Sequence, residues 1–275
     1  MVIVFAAGNR GSSFNTVGAP GTAKNVITVG AAEGVRSLNL SSGGNSSMGN
    51  DGCAYSDASA DGALDLATFS SRGPCSDGRQ KPDLVAPGTH ITGGVAQNSA
   101  VTIGNGSAIS CFKASSICGL SGSGFAGSTN NFFPLGQQFY TVASGTSHAT
   151  PAVAGACALL RQDFINHGFS APSPAMTKAF LMNSARYLTG AGANDNLWSP
   201  GQGMGEVNLG RAFDGVARVL RDQRPEDLFT ASGQTRVYTG RVVETNQPLR
   251  VTLAWTDAPG STIGNAFNND LDLTV

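Results

Sequence analysis

The sequence predicts an α/β fold, a mostly parallel sheet with helices on both faces. Two stretches carry this reading. Met1 to Phe5 is a continuous apolar, β-branched run without polar alternation, the texture of a parallel-sheet strand covered on both sides. Ala152 to Leu160 is apolar around its whole circumference, which suits a helix buried inside a large domain. Composition agrees: glycine is abundant at 37 of 275 residues and charged residues are only 13%, so the chain reads as compact and loop-rich rather than disordered. A net charge of −1 gives no reason to expect a nucleic acid or an anionic membrane as partner. No apolar run is long enough to span a bilayer, and the first residues lack the basic start of a signal peptide.

In chain order, the first strand runs into Ala6-Ala7-Gly8-Asn9-Arg10-Gly11, a turn. Gly18 to Lys24 is a second turn region, and Asn25 to Ala31 a second strand. Ser37 to Asp65 is rich in Ser, Gly, Asn and Asp and reads as a surface excursion, with oxygen ligands but no regular Ca²⁺-loop spacing. Ala67 to Pro74 and Lys81 to Gly88 are short extended pieces ending in Gly and Pro. Asp83 in the second is expected to fix its loop by hydrogen bonds. Ile91 to Gln138 is long and irregular, and Phe139 to Val142 leads out of it into Ser144-Gly145-Thr146-Ser147-His148-Ala149-Thr150-Pro151.

Ser173 then caps and Pro174 starts a further helix. Asn208 opens another, with Leu209, Ala212, Phe213, Val216 and Leu220 at helical spacing. Gly201 to Gly205 is glycine-rich but follows no strand, so it does not read as a phosphate loop. The texture changes at Arg221 to Pro225. Beyond it, Thr235 to Gly240, Leu249 to Thr256 and Leu271 to Val275 read as strands.

Gly145 permits a sharp turn, and Ser147 falls in the first turn of the apolar helix. There, free N–H groups and the helix dipole would stabilise an oxyanion beside its hydroxyl. The same Ser could instead serve only as an N-cap. Gly145-Thr146-Ser147-x-Ala149-x-Pro151, followed by small residues, closely resembles the nucleophile motif of subtilisin-like serine proteases. Ala6 to Gly11, Ala67 to Pro74 and Lys81 to Gly88 resemble further segments of that family, in the family's order.

The resemblance implies that Ser147 is the nucleophile of a serine endopeptidase and that Asn9 supplies an amide donor to the oxyanion hole. It implies protein or peptide substrates, secretion, and no cofactor in catalysis. Residues 1–222 would be the C-terminal part of the catalytic domain, and 223–275 the start of a truncated β-sandwich domain. A non-catalytic subtilase-like binding protein is the alternative.

A Ser nucleophile needs a base and an orienting partner. His148 adjoins Ser147 on the helix, His167 follows the helix, and His90 lacks a His-Gly-Thr context, so none is assigned as base. In the family's order Asp and His precede Ser, which places both before Met1. Cys53, Cys75, Cys111, Cys118 and Cys157 form no metal pattern. Cys111 and Cys118 could pair, and Cys157 reads as core. Asn269, Asp270 and Asp272 offer oxygen atoms that could hold a structural Ca²⁺.

Overall fold

A computed structural model describes residues 1–35, 60–98, 100, 102–103, 106–107, 139–193, 195–196, 198–242, 246, 248–261 and 263–275. Cys53, Cys111 and Cys118, with the proposed pairing, lie outside the described residues, as does most of the excursion from Ser37. Strands β1 (Val4–Ala6), β2 (Ile27–Ala32) and β3 (Leu84–Pro87) form a parallel sheet in that order, with Val4 opposite Ile27 and Val29 opposite Leu84.

All six residues of the central strand are buried, because its two faces feed two cores. Ile27, Val29 and Ala31 join Leu84 and Ala86 against helix α1 (Thr146–Asn166), which presents Ala149, Val153, Ala156, Leu160 and Phe164. On the other face, Ala32 and Val85 meet Leu66, Leu188 and Ala193. That second face is covered, among the described residues, by irregular chain. Each large apolar side chain so buried contributes about 1.5–3 kcal/mol.

Strand β1 pairs with β2 alone among the described residues, its residues are half-buried, and Met1 is 96% exposed. One sequence expectation changes here. Helix α1 is buried on one face only. Ala154, Gly155, Ala158 and Leu159 on the opposite side are exposed. Ala154, Gly155 and Ala158 offer little apolar area, so that side tolerates water, although it leaves Leu159 52% exposed.

Strand β4 (Ile91–Gly94) pairs antiparallel with β7 (Tyr140–Ala143), Ile91 opposite Ala143. Between them lies the short pair β5 (Thr102–Ile103) and β6 (Gly106–Ser107). Helix α2 (Pro174–Ser184) starts as expected, Ser173 Oγ accepting from the Met176 N–H at 3.0 Å with Pro174 at the first turn. Asn208 likewise caps α3, but that helix spans only Leu209–Ala212. Asp214 Oδ1 accepts from the Val216 N–H at 2.9 Å and turns the chain, which leaves Phe213 and Val216 exposed despite their helical spacing.

A 3₁₀ turn covers Pro225–Asp227. The three strands expected beyond it are not formed: 235–240, 249–256 and 271–275 are irregular. A half-buried strand needs a neighbour for its ladder, and no described residue supplies one. Leu253 and Trp255 each remain 38% exposed. Side chains pin this segment instead. Asn183 Nδ2 donates to the Arg250 carbonyl and to Thr252 Oγ1, and the Arg250 guanidinium returns bonds to the Asn183 and Ala185 carbonyls. Asp257, 5% exposed, accepts from Lys24 Nζ at 2.8 Å and from Asn268 and Asn269. Among the described residues no helix is long and apolar enough to cross a membrane.

Candidate active site

The first turn of α1 is built by three segments meeting. Gly145 leads in with φ 156° and ψ 158°, a backbone region open mainly to glycine, and a Cβ there would stand 3.2 Å from Asn9 Nδ2. Helix geometry begins at Thr146, so Ser147 is the second helical residue, and it is exposed. Ser147 is therefore not the N-cap. Gly145 occupies the cap position and no side chain caps from there.

The capping acceptor comes from far away in sequence. Asn9 Oδ1 accepts from the Thr146 N–H at 2.9 Å and from Thr146 Oγ1 at 2.8 Å, and Thr146 Oγ1 accepts from the Gly8 N–H at 3.2 Å. This fixes the rotation of the Asn9 carboxamide. Its oxygen is committed to the helix, and its Nδ2 lies on the Gly145 side of the turn. The loop is held on its other flank by Ser71, whose N–H donates to the Gly8 carbonyl at 2.9 Å and whose Oγ accepts from the Arg10 N–H at 3.0 Å. The Ser147 N–H belongs to the first turn, where an α-helix makes no internal bond. An exposed hydroxyl, a first-turn N–H and a fixed carboxamide NH₂ thus share one corner of the molecule.

The three histidines have other surroundings. His90 is 1% exposed at φ 53°, and its N–H donates to Ser144 Oγ at 3.0 Å, an arrangement that locks the chain entering β4 to the chain leaving β7. His167 closes α1, its Nδ1 2.9 Å from the Asp163 carbonyl. His148 follows Ser147 on the helix, and neighbouring helical side chains diverge.

Asp83 has the structural task expected of it, on a larger scale. It is 5% exposed. Its Oδ2 accepts from the Thr28 N–H at 2.8 Å and from Lys81 Nζ at 2.6 Å, while Lys178 of α2 sits 2.6 Å from Oδ1. Burial alone would raise its carboxyl, but the two ammonium groups hold it below the usual carboxylate range. Lys81 goes the other way: burial pushes it down to about 8, despite the nearby Asp83 charge. Lys178 carries no sequence signal for this role, since its partners lie on other elements.

Gly201 to Gly205 packs against the same strand. Met204 N–H donates to the Asp83 carbonyl at 3.0 Å and Val85 N–H to the Gly205 carbonyl at 2.9 Å. A Cβ on Gly203 would collide with the Pro82 and Asp83 carbonyls, so these glycines serve close backbone approach. Cys157 lies in the core as expected, and burial pushes its thiol up to about 11. Among the metal candidates, Asn269 spends its side-chain NH₂ on Asp257 Oδ1 at 2.7 Å.

Comparison with known proteins gives consistent relatives. The model of the subtilase family matches residues 1–205. Serine protease AprX of Bacillus subtilis (strain 168) is 32% identical over 162 residues, 59% of this chain and 26% of AprX. Pyrolysin of Pyrococcus furiosus is 31% identical over 218 residues, 78% of this chain and 12% of pyrolysin. Fervidolysin from Fervidobacterium pennivorans, a solved structure described as a keratinolytic enzyme related to subtilisin, matches at 24% identity with a TM-score of 0.43, covering 78% of this chain and 22% of that one. The chain thus spans about a quarter or less of these relatives.

Proposed function

The chain belongs to the subtilase family, and on that premise we propose that Ser147 is the nucleophile of a serine endopeptidase whose oxyanion is held by the Ser147 N–H and Asn9 Nδ2. The observation that carries this reading is the division of labour at the helix start. Asn9 Oδ1 takes the capping role, which leaves the Ser147 hydroxyl exposed and free of it. In the reaction Ser147 Oγ attacks the scissile carbonyl carbon and its proton passes to a general base. The carbonyl oxygen becomes an oxyanion between the two N–H donors. Collapse of that intermediate expels the amine, which takes the proton back from the base, and water hydrolyses the acyl-enzyme by the same steps. The base and its orienting carboxylate are assigned to segments outside these 275 residues, because no His-Gly-Thr motif occurs within them. Secretion and extracellular protein or peptide substrates belong to the same reading, as does a domain boundary at residue 222.

A fluorophosphonate probe tests it. In the full-length protein the probe is expected to label Ser147 rapidly and saturably, and Ser147→Ala to abolish labelling. The 275-residue chain alone is expected not to label at an appreciable rate. Full-length protein that binds peptides but never labels would establish the non-catalytic alternative. Rapid labelling of the 275-residue chain would mean that the base lies within it, with His90 the first to substitute.

A further inference from the structure

Glu33 follows the last residue of β2 and is 6% exposed. One of its carboxylate oxygens, Oε2, has no hydrogen-bond partner among the described residues. An oxygen of Glu33, one of Asp61 and one of Asp65 all lie within 4.8 Å of one another. We propose that Glu33, Asp61 and Asp65 bind a Ca²⁺ ion that ties the 60–66 loop to the end of β2.

The backbone builds this grouping. Glu33 N–H donates to the Asp65 carbonyl at 3.0 Å, and Asp65 N–H to the Gly62 carbonyl at 2.9 Å, so strand end and loop are zipped in one register. Asp65 Oδ1 is further held by the Ala191 N–H at 2.7 Å. Glycines make room: a Cβ on Gly62 or on Gly190 would collide with the Asp65 carboxylate. Three carboxylates held this close repel one another. Burial, then the charges of Asp65 and Asp61, push the Glu33 carboxyl up, against backbone N–H groups of Gly62 and Asp61 that favour its ionised form.

A dication removes that repulsion and offers the buried Glu33 carboxylate a counter-charge. Three oxygens within 4.8 Å of one another are close enough that a small side-chain adjustment brings all three to one ion at the ~2.3–2.6 Å typical of Ca²⁺. The donor set is all oxygen, which suits a hard cation rather than zinc or copper. Asp61 is exposed, so water can complete the six to eight ligands that Ca²⁺ takes. This proposal does not rest on the catalytic reading.

The test is calorimetric titration of CaCl₂ into chelator-treated full-length protein, beside thermal melts with and without Ca²⁺. Asp61→Asn is expected to weaken one site at least tenfold, and Asp65→Asn likewise. Because Asp61 is exposed, its variant decides the matter even if Asp65→Asn does not fold. Saturating Ca²⁺ is expected to raise Tm by about 2–8 °C in the wild type. Glu33→Gln is expected to lose this response while melting higher than the wild type in chelator, since it removes the charge that the cluster repels. The double variant Asp270→Asn, Asp272→Asn is expected to titrate as wild type at this site. Number and affinity of Ca²⁺ sites unchanged in Asp61→Asn would overturn the proposal, as would binding lost only in the Asp270, Asp272 variant.

Discussion

Asn9→Leu in active full-length protein is expected to lower kcat by about 10²–10³, with a much smaller change in KM. That magnitude is the measured loss of an oxyanion donor in a subtilisin, so it is a value carried over within the family, not an independent result. On the proposed reading the asymmetry between kcat and KM follows from differential binding: the Asn9 NH₂ would meet a full negative charge only when the carbonyl oxygen becomes an oxyanion. The structure adds a second consequence. Asn9 Oδ1 also holds the Thr146 N–H and hydroxyl, and Thr146 is fully buried. Leu cannot accept these bonds, so Asn9→Leu is expected to destabilise the fold as well, by about 1–3 kcal/mol for buried donors left unpaired.

Asn9→Asp separates the two roles. It keeps an acceptor for Thr146 but offers no donor and places a charge beside the oxyanion. It is expected to fold with near-normal stability and lose kcat at least as severely. Active-site titration alongside the kinetics and melts provides the check. A normal kcat per titrated site in Asn9→Asp would remove Asn9 from the oxyanion hole and leave it as the helix cap alone.

The capping of α1 by Asn9 marks the limit of what the sequence made legible. Local signals were readable because they act over a few residues: Ser147 in a helical first turn after Gly145, Ser173 and Pro174 at a helix start, Asn208 as a cap. The Asn9–Thr146 bonds span 137 residues, and nothing near either residue announces the other. The Glu33, Asp61, Asp65 grouping escaped for the same reason. A Ca²⁺ loop is recognised by ligand spacing along one segment, whereas these carboxylates come from a strand end and a separate loop. Periodicity failed where a neighbour decides the outcome. Leu253 and Trp255 alternate like strand residues, but alternation says which face would be buried, not whether a sheet is there to bury it. Phe213 and Val216 keep helical spacing across a turn that Asp214 imposes.

Asp83→Asn is expected to be the most damaging single substitution away from the reaction itself, costing about 3–5 kcal/mol of stability, the range for removing one partner of a buried ion pair. Two ammonium groups, Lys81 and Lys178, converge on its carboxylate, and Lys81 is almost wholly enclosed. Neutralising Asp83 leaves both without this counter-charge, and Lys81 sits where hydration cannot replace it, whereas Lys178 is partly exposed. The loss reaches α2 as well, which Asp83 anchors through Lys178, while the Asn oxygen can still accept the Thr28 N–H of β2.

The sign of the pH dependence follows from the lowered carboxyl. In the folded state Asp83 titrates below 3.8, its unperturbed value. Its contribution is therefore complete above that value and disappears as pH falls through the lower, folded pKa. The gap in stability between wild type and Asp83→Asn should be open at neutral pH and close in strong acid. Equilibrium or kinetic denaturation of the two proteins across that range is the measurement. Activity per folded molecule provides the second readout: a structural Asp83 leaves it near normal, so unchanged stability with lost turnover would reassign this carboxylate to the chemistry.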